Sequence, residues 1–193
     1  MIAGLEWDRR RQLGTFRSYG DSARRLLRAP RATLQVTQEA GPASALLFAA
    51  ISYGCVLLPS MVFLYFASMA RTFPNPVVAV IATLAYGAGG FALLMLQLVS
   101  TSAAEWLALR LMRQRQATFR RALQAHALSE SAMMLGLFPL VGPPVATIWA
   151  IGLRFLAIRQ LQRVTTGQAV VAVLAPLLCL CGLIAAGLTA LLS

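Results

Sequence analysis

Lysine is absent from all 193 residues, and histidine occurs once, as His126. Without lysine the chain can carry neither a phosphate-loop lysine nor a Schiff-base lysine. A single histidine excludes the two-histidine zinc motifs. Acidic residues number only six, and charged residues together make up 12% of the chain against 59% hydrophobic. A water-soluble domain carries about twice that charged share. The shortage excludes an ordinary soluble enzyme, a disordered tail and a fibrous repeat. Cysteine is scarce too: Cys55, Cys179 and Cys181 all lie in apolar runs, where a thiol behaves as a small hydrophobe. Cys179 and Cys181 are two apart and point in different directions on a helix. No disulfide framework, metal pair or cofactor is expected.

What the chain does have is long apolar runs, the mark of helices that cross a bilayer. The expected fold class is an all-α membrane protein. It has five transmembrane helices behind a short amphipathic N-terminal cytoplasmic segment over residues 1–42. The spans are expected at about 43–70, 77–99 with a helical extension to 112, 122–138, 145–158 and 169–192. The first exceeds the ~20 residues a bilayer needs, so tilting or a kink at Pro59 is expected. Polar, Arg-rich sequence precedes the first run, so that span is expected to be an uncleaved anchor and not a signal peptide.

Every basic residue is Arg, and their distribution orients the chain. The N-terminal segment holds eight, the loop after span two five (Arg110, Arg113, Arg115, Arg120, Arg121), and the end of span four two (Arg159, Arg163). The intervening connections hold Arg71 alone. Basic and near-neutral loops alternate, which places the N-terminus in the cytoplasm and the C-terminus outside. Clustering between apolar runs is what membrane orientation produces, so nucleic acid is not an expected partner of the +11 charge. The expected location is the cell (inner) membrane, or the Golgi or endoplasmic reticulum membrane if the source is eukaryotic.

Residues 1–20 mix charges, Gly and Ser without period and read as loosely ordered. Asp21 is placed to cap a short helix through Leu27, followed by a second piece from Ala32 to Gln38. Leu26, Leu27, Leu34 and Val36 give these pieces an apolar side. Arg24, Arg25, Arg28 and Arg31 give them a basic side suited to an anionic lipid surface. A solvated tail that only fixes orientation is the alternative.

Ionisable side chains inside spans are costly and normally face the protein interior. Span three carries His126 and Glu130, and span four carries Arg154. Measured from the 139–144 turn at ~1.5 Å per residue, Glu130 and Arg154 lie at matching depth, which predicts an ion pair between them. His126, one turn from Glu130, shares its face. The cluster reads either as a charge clamp or as a proton or ion relay. Glu105 is expected beyond the hydrocarbon, paired with an arginine such as Arg110.

Small residues (Gly54, Gly87, Gly89, Gly90, Gly182, Ala186, Ala190) favour close helix packing, within the bundle or between copies. Four stretches then carry a family resemblance. They are Leu27-Arg28-Ala29-Pro30-Arg31 with Ala45-Leu46-Leu47-Phe48, Gly136-Leu137-Phe138-Pro139-Leu140-Val141-Gly142 with Ile148-Trp149, Thr165-Thr166-Gly167-Gln168-Ala169, and Ala172-Val173-Leu174-Ala175-Pro176. From about Leu26 to Leu183 the chain resembles the Yip-one family of Ypt/Rab-interacting multi-pass membrane proteins, in its bacterial branch. The resemblance implies five membrane helices, a cytoplasmic N-terminus and no catalytic residues. An Asp-Leu-Tyr-Gly-Pro segment of the eukaryotic members is missing here, so their small-GTPase binding is not carried over.

The expected function is therefore non-enzymatic: a membrane protein that organises partners or bilayer shape. Membrane lipids, other membrane proteins and further copies of itself are its expected partners. The alternative is a small transporter or channel that uses His126, Glu130 and Arg154.

Overall fold

The computed structural model describes residues 5–137, 142–176 and 178–179, and within them all regular structure is helical. A 3-10 turn (Glu6–Arg9) leads into α1 (Arg10–Leu13), α2 (Thr15–Arg28) and α3 (Pro30–Gln35). Next comes α4, Pro42–Leu64, continued through a π turn at Tyr65–Met69 as far as Thr72. It is followed by α5 (Pro76–Leu111) and α6 (Phe119–Ser129), the latter prolonged as 3-10 helix over Glu130–Leu137. The order closes with α7 (Gly142–Leu161) and α8 (Thr166–Pro176).

Local sequence accounts for the boundaries. Proline occupies the first turn of α3, α4 and α5, where its missing N–H is no loss. Asn75 caps α5 by accepting from the Val77 N–H at 2.9 Å. Thr118 caps α6 by accepting from the Arg121 N–H at 3.3 Å. Gly14, at φ 85°, separates α1 from α2, a conformation that side-chain-bearing residues avoid. The helix runs on through Pro59 as well, and its irregular stretch is the π turn at Tyr65–Met69.

Among the described residues, α4 and α5 are the two helices long and apolar enough to cross a membrane, over Pro42–Thr72 and Pro76–Leu111. Most of their apolar surface faces outward, since only 22% and 17% of their most apolar windows are buried. A core helix of a water-soluble bundle would be buried instead. The exposed apolar residues concentrate toward their shared turn: Leu58, Val62, Phe63 and Phe66 on α4, and Val77, Ile81, Leu84 and Tyr86 on α5. Near that turn the helices meet closely, with Gly87 against the Met61 side chain.

The other halves of α4 and α5 are enclosed by α6, α7 and the N-terminal helices, which together form a head. Here residues 5–20 depart from expectation. They are helical and packed in place. Leu5, Trp7, Tyr19, Ala23 and Leu26 are buried in one cluster with Phe48, Leu109, Leu128 and Ile158. α2 begins at Thr15, so Asp21 lies inside it and caps nothing. The 138–141 turn, Cys181 and the small-residue face of Gly182, Ala186 and Ala190 lie outside the described residues, as does the end of span five.

Candidate functional site

The head contains a buried polar cluster to which four helices contribute. On α5, Thr101, Ser102 and Glu105 follow one helical face, and both Ser102 and Glu105 are fully buried. α6 brings His126 and, at its junction with the 3-10 segment, Glu130. α7 supplies Arg154, and α4 supplies Tyr53, whose hydroxyl faces the Glu130 carboxylate.

The pairing differs from the sequence expectation. Arg154 Nε donates to Glu105 Oε1, so its partner is on α5 and not Glu130. Depth along the hairpin does not decide the pair; the helix face does, and Arg154 is turned toward α5. Glu105 does not use Arg110, whose guanidinium lies over the Trp106 ring at 5.9 Å. Glu130 instead meets His126: Nε2 is 3.1 Å from Glu130 Oε1. The other ring nitrogen, Nδ1, lies 2.9 Å from the Thr101 hydroxyl. His126, Glu130 and Arg154 thus fall in one neighbourhood but form two pairs, with Glu105 as the member that sequence reasoning left outside. Glu105 Oε2, Glu130 Oε2 and Arg154 Nη2 are buried without a partner among the described residues.

Two carboxylates face one guanidinium and one imidazole here. A low-dielectric interior tolerates paired charge and disfavours a surplus. The cluster holds one carboxylate more than it has guanidinium groups. Chemically the arrangement can join four helices or hold a proton, and neither use requires a metal or cofactor. Groups of three or more His, Cys, Asp or Glu with metal-binding geometry do not occur among the described residues.

The second candidate is the arginine face of α2 and α3. Arg24, Arg25, Arg28 and Arg31 are all exposed, while Ser18, Tyr19, Ser22, Ala23 and Leu26 of the same α2 helix are buried. Docking is specific. The Trp7 indole N–H donates to Ser44 at 2.9 Å, and the Trp7 backbone N–H donates to Ser22 at 2.8 Å. The Tyr19 hydroxyl donates to Ser52 at 2.9 Å. Burial pushes the Tyr19 phenol up to about 12, so it is a neutral donor at physiological pH. Trp7 and Tyr19 both pack on Phe48, at ring-centre distances of 5.2 and 4.8 Å. Because the buried side of α2 is largely Ser, Ala and one Tyr, hydropathy alone does not reveal it. The period-of-four recurrence Ser18, Ser22, Leu26 is the signal that could have.

Two glutamines fasten the head. Gln124 accepts from the Ala40 N–H at 3.0 Å and donates to the Gln38 carbonyl at 2.7 Å. Gln162 does the same to both backbone groups of Thr118, at 3.1 and 2.9 Å. Glu39 bridges to Arg121 at 3.0 Å and to Arg120 at 3.8 Å. Residues 38–40, the start of α6 and the end of α7 therefore lie at one level.

No family model matches the chain, and neither a curated protein nor a solved structure matches it.

Proposed function

We propose that this is a non-enzymatic integral membrane protein, of the type the Yip-one resemblance implies, that shapes the bilayer by occupying one leaflet more than the other. The observation that carries this is where α2 lies. It packs on the 130–137 segment, and Arg24, Arg28, Met134, Leu135 and Leu137 line one cavity. A hydrocarbon core is about 30 Å thick, so residues around one cavity share a membrane level. Arg24, Arg28 and Arg31 have no ion-pair partner among the described residues. Placing three such arginines at the bilayer centre costs roughly 7–10 kcal/mol on insertion scales. The arginines therefore sit at the cytoplasmic headgroups, and the 130–137 segment sits at their level.

In this reading α6 and α7 enter and leave from the cytoplasmic face, while α4 and α5 cross. The arginine alternation is unchanged, because a re-entrant hairpin returns its ends to the side they came from. Helix lengths agree. α4 and α5, at 31 and 36 residues, measure about 46 and 54 Å, well beyond one bilayer. Their lipid-facing part on α5, Val77 to Leu96, spans about 29 Å, and the excess is what the head encloses. Amphipathic helices and the 130–137 segment at the headgroups of one leaflet add area there alone, which favours curvature.

Reporter fusions after residues 40, 74, 115, 142, 165 and 193 test the topology. Five crossings put the 142 fusion outside; the re-entrant reading keeps it off the outer face with 115 and 165. Reconstitution into large vesicles should then yield smaller or tubulated membranes, and unchanged vesicles would defeat the shaping role. The second reading, a transporter built on His126, Glu130 and Arg154, draws on the unpartnered buried oxygens of the cluster. Proton or ion flux into liposomes containing the protein would select it.

A further inference from the structure

We infer that the groove between α2 and the 130–137 segment is a binding site for one phospholipid with a net-negative headgroup, its phosphate on Arg24 and Arg28. This rests on the reading that the head lies at the cytoplasmic leaflet. The groove has a volume of about 380 Å³ and is walled by Leu27, Met134, Leu135 and Leu137. Its rim holds the two arginines, one helical turn apart on α2 and both exposed. Arg25 between them is engaged by Glu6 at 2.6 Å. Asp21, on the same helix, forms no ion pair with either among the described residues. Two unneutralised guanidiniums above an apolar slot are complementary to a phosphodiester carrying acyl chains. Guanidinium forks suit phosphate oxygens, and the slot suits a chain segment. A zwitterionic headgroup brings its own cation, which gives two arginines less to neutralise.

Gly20 makes the site testable without disturbing the fold. It lines the groove, and a side chain built there meets nothing within 4 Å. Gly20→Leu therefore fills the slot while raising the helix propensity of α2.

The experiment is native mass spectrometry of the full chain in mild detergent with added phosphatidylglycerol or phosphatidylcholine. One phosphatidylglycerol per chain should be retained in preference to phosphatidylcholine, and salt that strips the protein's surface attraction should not remove it. Gly20→Leu and the Arg24→Gln/Arg28→Gln pair should each weaken retention by about tenfold, equivalent to 1.4 kcal/mol. Equal retention of both lipids, or full retention in Gly20→Leu, overturns the site. Displacement by inorganic phosphate would reduce it to a free-anion site and overturn the lipid assignment. Retention appearing only after truncation at residue 179 would make the chain's own tail the occupant and overturn it as well. An outside 142 fusion with lipid retention intact would instead defeat the leaflet reading alone, so the two failures are distinguishable.

Discussion

Removing Arg154 or Glu105 singly, and then both, tests the cluster most directly. Glu105 is fully buried and Arg154 only 17% exposed at its side chain, so either one left alone is a charge without a counter-charge. Breaking a buried pair in this way typically costs about 3–5 kcal/mol, whereas replacing both members with apolar residues is close to neutral. Arg154 keeps a path to the surface and water can follow it, so the lower end of that range applies to Glu105→Leu. Glu105 has no such path, and Arg154→Leu should be the worse single change. The assay is thermal unfolding of the four proteins in one detergent, read as a double-mutant cycle. Glu105→Leu/Arg154→Leu should recover most of either single loss, so the coupling approaches the sum of the two single losses, roughly 5–7 kcal/mol on those figures. Glu130→Leu/Arg154→Leu should recover nothing, because Glu105 then stays unpaired. Additive losses for the first pair, or recovery for the second, would refute the assignment of partners.

Four further outcomes follow from the geometry. His126→Leu leaves the Glu130 carboxylate without its 3.1 Å partner and should lower stability by about 1–3 kcal/mol, while His126→Gln should retain more of it; equal loss in both would separate the imidazole from Glu130. Gln162→Ala strands both backbone groups of Thr118, for roughly 1–3 kcal/mol, and should speed hydrogen exchange over residues 112–118. Gly87→Leu cannot share its place with Met61, so it should part α4 from α5 and lower the thermal midpoint; Gly89→Leu, where nothing lies within 4 Å, is the silent control. Tyr19→Phe, which loses the Ser52 bond, should cost about 1 kcal/mol and raise the proteolytic sensitivity of residues 5–38.

The apolar runs made α4 and α5 readable, and their ends agree with the expected limits to within about two residues, as helix boundaries allow. Span three was less accessible. Its apolar run suggests a helix from 122 to 138, yet the α-helix ends at Ser129 and 3-10 geometry follows to Leu137. That tighter coil rises ~2.0 Å per residue in place of 1.5 Å, which spoils a depth estimate made by counting from the turn. The Arg154 partner was missed for a related reason. Glu105 was expected past the hydrocarbon beside Arg110, yet the head surrounds it and its partner lies on α7. Exposure of Arg24, Arg25, Arg28 and Arg31 was readable from helical period alone. The docking of Trp7 and Tyr19 was not, since it depends on Ser44 and Ser52, distant in sequence and inside a run that reads as lipid-facing.

Those serines show how the fold divides one apolar helix between two environments. Along α4, Ser44, Ala45, Phe48, Ala49, Ser52 and Tyr53 are buried, a face of small and hydroxyl-bearing residues spaced by three and four. Beyond Gly54 the same helix turns to Leu58, Val62, Phe63 and Phe66, all exposed. Lipid tails satisfy the second set and offer nothing to hydroxyls. A polar head satisfies the first set, supplying Trp7 and Tyr19 as donors. On α5 the buried polar residues Ser102 and Glu105 follow Leu93 and Leu96 in the matching place, while Leu107 and Leu111 stay exposed on the outer face. Both helices therefore change partner at one level, and there the 130–137 segment and the arginines of α2 are found together. If so, moving the boundary should move the head: Ser52→Leu with Ser102→Leu would strip Tyr19 of its acceptor and add apolar bulk beside His126. The expected result is an undocked α2, seen as faster cleavage near Arg24 and Arg28, with α4 and α5 still inserted. Loss of insertion together with docking would instead show that the head and the membrane hairpin fold as one unit.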